Sequence, residues 1–283
     1  MEHRQYLFQY IHPGDSRGLE IGPLTNPQVL KSEGEVYYVD RASTEEIIEW
    51  YTQDPAVNKD NIVPIDFVWG KETLEECTSG KGPFDYVVAC HVLEHIPDVI
   101  GWLKEIASVL KTGGIAAFAI PDKRYTFDIK RRVTTIPEIA EAHLLGFRKP
   151  SPRQIIDHFS FQTQVNATDI WAGQVDIEKL KPMYADPYFP VAAAERSIND
   201  DFYTDAHCTV ATPRSFIHLL KWMSSIFWLD FTLEGFVETP HNRLEFYIFL
   251  KKLEHTPFLH LKKEAFEESL ERVLPAGFLD QPE

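Results

Sequence analysis

Twice between residues 17 and 40 a short apolar run ends at an acidic side chain and a turn. Arg17-Gly18-Leu19-Glu20-Ile21-Gly22 runs into Pro23-Leu24-Thr25-Asn26-Pro27, and Val36-Tyr37-Tyr38-Val39 ends on Asp40. Two such strands fit neighbouring positions in an open α/β sheet, where ligands sit at the carboxyl ends of the strands. Gly22 lacks a side chain, so a ligand can approach that turn closely. A carboxylate after the second strand can accept hydrogen bonds from both hydroxyls of a ribose. The arrangement suits an adenosine-containing ligand, although a tight strand-to-loop turn in any α/β protein leaves the same trace.

A dinucleotide site wants Gly-x-Gly-x-x-Gly, so that a pyrophosphate can rest on a helix N-terminus. Here the later glycine positions read Leu24 and Pro27. Glu20 would also place negative charge beside a diphosphate. It suits a cationic ligand portion, such as an amino group or a sulfonium. A nicotinamide-dependent oxidoreductase is therefore disfavoured.

The pattern continues along the chain. Residues 3–11 have helical spacing and lead into the first strand; Thr44–Tyr51 reads as a helix capped by Ser43 or Thr44, with Glu45 and Glu46 in its first turn. Residues 62–68 read as a third strand, with Asp66-Phe67 at its end. Phe84–Cys90 is apolar enough for a buried parallel strand. A helix over 97–110 follows, then Lys111-Thr112-Gly113-Gly114 and a fifth strand at 115–120. Residues 1–120 thus read strand, helix, strand, helix, strand, helix, strand, which predicts a doubly wound parallel sheet. His91 and His95 stand four apart, a spacing that invites zinc. In the helical zinc motif, however, glutamate directly follows the first histidine, whereas here Glu94 precedes the second and Pro97 delays the helix. His91 is expected to border the ligand, with Glu94 and His95 bonded to nearby backbone, and no metal is expected.

The formal charge is −15, which argues against a nucleic-acid partner. Cys77, Cys90 and Cys208 have no C-x-x-C spacing, which argues against a disulfide framework and fits a reducing cytoplasm. The N-terminal residues lack the apolar core of a signal peptide, and no apolar run approaches the roughly 18 residues of a membrane span.

Taken together, Leu19-Glu20-Ile21-Gly22, Asp40, Asp66, Phe84-Asp85-Tyr86-Val87, Val92-Leu93-Glu94-His95-Ile96-Pro97-Asp98 and Leu110-Lys111-Thr112-Gly113-Gly114 resemble the class I S-adenosylmethionine-dependent methyltransferases. The likeness covers roughly residues 15–122 and resumes near 209–252. Pro121-Asp122-Lys123-Arg124-Tyr125-Thr126-Phe127-Asp128 and the L-E-I-G-x-L-x-N-P loop are similar to one subgroup; Leu24 and Asn26 stand where the wider family has glycines. The resemblance implies a Rossmann-like seven-stranded sheet with an antiparallel last strand and a large insertion after the fifth strand. It implies S-adenosyl-L-methionine as cofactor and S-adenosyl-L-homocysteine as product. Glu20, Gly22 and Pro23 are expected beside the methionine part, Asp40 and Arg41 at the ribose, Asp66 and Phe67 at the adenine, and His91 on the wall facing the substrate.

Three segments follow: a cofactor-binding half (1–122), an inserted substrate lid (123–206) and a C-terminal half with a tail helix (207–283). Residues 123–153 carry eight basic side chains against three acidic ones. They read as a solvated helix face or as recognition of an anionic group, with Arg124, Tyr125 and Arg153 the substrate-binding candidates. Aromatic residues later in the insert suit a substrate cover or a small local core. His158 follows Asp157, and His207 lies two after Asp205, so these two are the candidate general bases. Thr212 is expected to cap a helix, 231–237 and 244–250 to form the last strands, and 258–274 a tail helix packing on the domain or on a second subunit of a homodimer. The expected activity is methyl transfer to oxygen or nitrogen of a small molecule or short peptide, with an anionic, carboxylate-bearing acceptor as one option. The alternative is a non-catalytic methyltransferase-like binding protein.

Overall fold

The computed structural model describes residues 3–52, 54–55, 57–200 and 202–281; Met1, Glu2, Pro282 and Glu283, the ends of the first and third expected segments, lie outside them. Seven strands form one sheet: β1 (Arg17–Ile21), β2 (Glu35–Asp40), β3 (Phe67–Val68), β4 (Phe84–Cys90), β5 (Leu110–Pro121), β6 (Phe231–Val237) and β7 (Glu245–Lys252). The helices are α1 (Arg4–Leu7), α2 (Thr44–Trp50), α3 (Leu74–Cys77), α4 (Val99–Val109), α5 (Ile136–Leu144), α6 (Pro152–Phe161), α7 (Ala167–Trp171), α8 (Phe189–Asn199), α9 (Pro213–Ser225) and α10 (Leu259–Val273). Strand order is β3-β2-β1-β4-β5-β7-β6. The first five strands are parallel, and β7 runs antiparallel between β5 and β6. This is the doubly wound sheet with a reversed last strand that the sequence pattern implies. Strand order switches direction between β1 and β4, so a crevice opens at their carboxyl ends.

Side-chain alternation splits the core between the two faces of the sheet. Leu19, Val87, Phe118 and Ile248 meet residues of α4, α9 and α10 on one face. Tyr86, Val88, Ala117 and Phe249 meet Leu7, Ile11 and Val29 on the other. That second face is covered largely by the N-terminal segment, where Tyr10 stacks on Phe249 with ring centroids 3.9 Å apart. Buried Phe266 and Leu270 seat α10 on the main core.

Helix starts follow local chemistry. Ser43 and Glu46 form a capping box at α2, and Thr212 with Ser215 does so at α9. Asp98 caps α4 by accepting the Gly101 N–H at 2.8 Å. A Cβ on Gly101 would stand 2.3 Å from Asp98 Oδ2, so with a larger residue there the capping carboxylate would have to shift.

No helix joins β1 to β2: the Glu20 carboxylate accepts the Gln28 and Val29 N–H groups at 2.6 and 3.0 Å, which folds residues 22–34 back as a loop. Two strands differ from expectation. The third strand is short because residues 62–65 leave the ladder. Val63 N–H goes to the Leu24 carbonyl and Ile65 N–H to Thr44 Oγ1, and only Phe67–Val68 pair with β2. The fifth strand begins earlier, at Leu110, through a register shift opposite Phe84 and Tyr86. Within the insertion, α5 buries Ile139 in the main core, while Ile155, Ala194 and Ala206 form a smaller core with Phe159. Among the described residues no helix is long and apolar enough to cross a membrane.

One glycine fixes the β1–β4 pairing sterically. A Cβ on Gly18 would stand 2.0 Å from the ring of the fully buried Tyr86. Gly18→Ala should therefore lower unfolding stability by about 1–3 kcal/mol in urea titrations, the usual cost of overpacking a core.

Candidate functional site

A cavity of about 690 Å³ occupies the crevice at the carboxyl ends of the parallel strands. Its floor is the turn after β1. Gly22 sits there at φ +67°, a left-handed conformation that favours glycine, and a Cβ would approach Val92 Cγ2 to 2.7 Å. Its N–H donates to the Val39 carbonyl at 2.9 Å, which sets the β1 and β2 tips side by side.

Asp40 lines the cavity from the β2 tip, and burial raises its carboxyl pKa. Next to it, the Arg41 guanidinium lies 3.5 Å from the ring centroid of Tyr203 and 4.5 Å from that of Trp50. Trp69 follows β3; its backbone N–H donates to the Asp40 carbonyl at 2.7 Å and its indole N–H to Glu105 at 2.9 Å. Trp102 lines the wall from α4, and its indole nitrogen is buried with no hydrogen-bond partner among the described residues.

The opposite wall is the turn after β4. His91 leaves the strand at φ +55° and donates its N–H to the Ala119 carbonyl at 3.0 Å. A single 3-10 turn, Leu93–His95, follows and brings His95 to the cavity. His95 Nδ1 lies 3.0 Å from Asp205 Oδ1, at the end of the insertion. Burial works against charge on His95, but Asp205 and Glu94 outweigh it and push the imidazole up to about 9. Desolvation by its neighbours would raise Asp205, although its side chain is largely exposed, yet the bond to His95 holds it at about 2.

Of the residues expected from sequence, the structure brings Gly22, Asp40, Arg41 and His91 to the cavity. The others are placed elsewhere. Glu20 is turned into the loop it anchors, and buried Pro23 faces away from the lining. Asp66 lies before β3 and not at its tip: its carboxylate takes the Tyr38 N–H and Lys31 Nζ, both at 2.7 Å. Phe67 packs into the core beside Tyr37, and Trp69 takes the strand-tip position. Arg124 forks onto buried Asp122, Arg153 pairs with Glu138 at 2.7 Å, and Tyr125 stacks on Trp171. All three lie outside the cavity lining because acids and rings of their own neighbourhood hold them.

His158 and His207 also stand outside the lining, each only 7% exposed. His158 accepts the His207 backbone N–H at 3.1 Å, and burial, with His207 and Arg131 nearby, pushes its pKa down to about 3. Such an imidazole is a weak base without access to the cavity. The expectation that the His95 side chain bonds only to backbone is corrected by its Asp205 pairing. Sequence reasoning missed Trp69, His95, Trp102, Tyr203 and Asp205; an aromatic at a strand tip and a histidine just past β4 were the available signals.

This sheet, with a glycine turn facing a strand-tip carboxylate across one crevice, defines a nucleoside-binding class I methyltransferase fold. The sequence matches the methyltransferase domain family over residues 3–173, more than half of the chain, and the protein belongs to that family, the S-adenosylmethionine-dependent methyltransferases. No curated protein matches it in sequence. Among solved structures, the CcbJ methyltransferase from Streptomyces caelestis is similar at 16% identity and TM-score 0.31, over 44% of this chain and 53% of that one. TehB from Haemophilus influenzae is similar at 11% identity and TM-score 0.39, over 90% and 62%. An S-adenosylmethionine-dependent methyltransferase from Mesorhizobium loti gives 12% identity and TM-score 0.43, over 89% and 98%. This chain therefore spans 53% and 62% of the length of the first two. Overlays this loose carry nothing about acceptor or mechanism.

The family cofactor is S-adenosyl-L-methionine. The residues present fit it. At Gly22 the backbone borders the cavity with no side chain between, Asp40 offers an acceptor for a diol, and the indole N–H of Trp102 is a buried donor without a partner among the described residues.

Glu20 gives a separate test of the loop. Burial outweighs its two amide bonds and raises its pKa from 4.5 to about 7. An acid with a raised folded-state pKa adds stability below the unfolded value and loses it as pH climbs through the folded value. The loss is on the order of 3 kcal/mol. Thermal melts from pH 4.5 to 8 should show wild type losing stability relative to Glu20→Gln as pH rises; parallel curves would refute the assignment.

Proposed function

We propose that this chain transfers the methyl group of S-adenosyl-L-methionine to an oxygen or nitrogen of a small molecule or short peptide. The observation that carries the reading is that one cavity joins the Gly22–Asp40 floor to a wall of His91, His95 and Tyr203. Gly22 would make room for the methionine end, Asp40 would accept the ribose hydroxyls, and Trp69 and Trp102 would flank the base. Bound there, the cofactor supplies an electrophilic methyl carbon on a sulfonium. The protein's part is alignment and exclusion of water, which lowers the entropic cost of bringing nucleophile and methyl together.

The acceptor side is built from His91, His95, Tyr203 and Asp205, with Arg41 clamped between two rings at the mouth. A concave cavity of about 690 Å³ with aromatic walls favours a small acceptor over a large folded one. Arg124 and Arg153 are already paired, so the anionic preference expected from residues 123–153 lacks its two arginines.

Calorimetric titration with S-adenosyl-L-homocysteine tests the cofactor assignment. Asp40→Ala should weaken binding roughly tenfold or more, the cost of hydrogen bonds to a charged group. Equal affinity in both proteins would remove Asp40 from the site. Cofactor binding without methylated product, across a panel of hydroxyl, carboxylate and amine acceptors, would favour the non-catalytic alternative.

A further inference from the structure

Glu94 is a buried carboxylate, 2% exposed, and its Oε2 has no hydrogen-bond partner among the described residues. Leaving such an oxygen unpaired is costly, and a bound cation is one standard remedy. Around it stand imidazoles at distances that are not hydrogen bonds. His91 Nδ1 is 3.6 Å and His95 Nε2 is 3.9 Å from Glu94 Oε1. Glu94, His95 and His207 each present one donor atom, all within 4.8 Å of one another. Metal–ligand lengths of about 2.0–2.2 Å put two ligands of one tetrahedral ion roughly 3.3–3.6 Å apart, so these gaps suit a shared ion after slight contraction.

The outer contacts agree. His95 Nδ1 bonds Asp205 at 3.0 Å and His207 Nδ1 bonds Asp128 at 2.5 Å, which leaves Nε2 of each ring as the metal-facing nitrogen. A carboxylate behind a histidine fixes its tautomer in this way at metal sites. The neighbouring trio Asp128, His158 and His207 is also close-set, but Arg131 holds Asp128 and Gln162 holds His158, so it serves as support. The two rings His95 and His207 meet edge to face at 4.8 Å, fixed by the Glu94 carbonyl, which accepts the Cys208 and Thr209 N–H groups.

We propose that Glu94, His95 and His207, with His91 beside them, bind one divalent transition-metal ion at the acceptor end of the cavity. Imidazole and carboxylate donors without thiolate suit zinc, manganese or cobalt. His95 lines the cavity while Glu94 and His207 stand buried behind it, so a molecule in the cavity would meet the ion from the His95 side. Resting on the methyltransferase reading, this narrows the acceptor to one that ligates through oxygen. A hydroxyl held on the ion loses its proton to water at lower pH, which leaves the oxygen as nucleophile. The helix geometry that argued against zinc at His91 and His95 is bypassed, because His207 arrives from a different part of the chain.

The test uses the full chain, stripped with a chelator and titrated with Co²⁺ and, separately, Zn²⁺. Wild type should bind one ion per chain, with ligand-field absorption for Co²⁺. Glu94→Gln and His207→Ala should each weaken binding at least tenfold, and the outer-contact variant Asp205→Asn, altered at an exposed side chain, by about 10–100-fold. S-adenosyl-L-homocysteine titration of the same metal-free proteins checks folding and the cofactor reading independently. Cofactor binding with no saturable Co²⁺ or Zn²⁺ binding, or metal affinity untouched by all three substitutions, would overturn the metal site and leave the methyltransferase reading standing.

Discussion

Two backbone N–H groups, from Cys208 and Thr209, converge on the carbonyl oxygen of Glu94 at 2.5 and 3.1 Å. This contact joins residues more than a hundred positions apart. It pins the end of the insertion to the turn after β4, and so holds the cavity wall lined by His95, Tyr203 and Asp205. Asp205 can reach His95 and Tyr203 can reach Arg41 because the chain between them and Thr212 is held there. The backbone supplies the joint, and the side chains inherit their positions from it.

The sheet supplies the other half of the geometry. Parallel β1, β2 and β4 stop at one level, so Gly22, Asp40 and His91 emerge around a single crevice. The reversed β7 closes the sheet between β5 and β6 and leaves that crevice untouched. The loop that replaces a helix after β1 is held by a buried carboxylate rather than by repetitive hydrogen bonds. The cofactor turn is therefore a side-chain construction on a backbone scaffold.

Elements were legible where one local rule decides them. The continuous apolar run of β4, the capping boxes of α2 and α9 and the paired final strands all follow from spacing and composition. Gly22, Asp40 and His91 were legible because strand ends announce themselves. The rest turned on direction or on distant partners. Whether Glu20 faces the cavity or its own loop depends on which way a strand residue points. Asp66 was placed at a strand tip because residues 62–68 read as one strand, whereas Thr44 Oγ1 accepts the Ile65 N–H and the strand starts only at Phe67. Arg124 and Arg153 looked available because Asp122 and Glu138 are matched to them only in three dimensions. Asp205 meets His95 across 110 positions, a relation no local pattern carries.

Arg41 carries one further consequence. It follows Asp40 directly in the chain, and its guanidinium is stacked between Trp50 of α2 and Tyr203 of the insertion. The β2 tip and the cover thus share a hinge pin. The β2 side of the cavity and its insertion side are therefore positioned through one side chain.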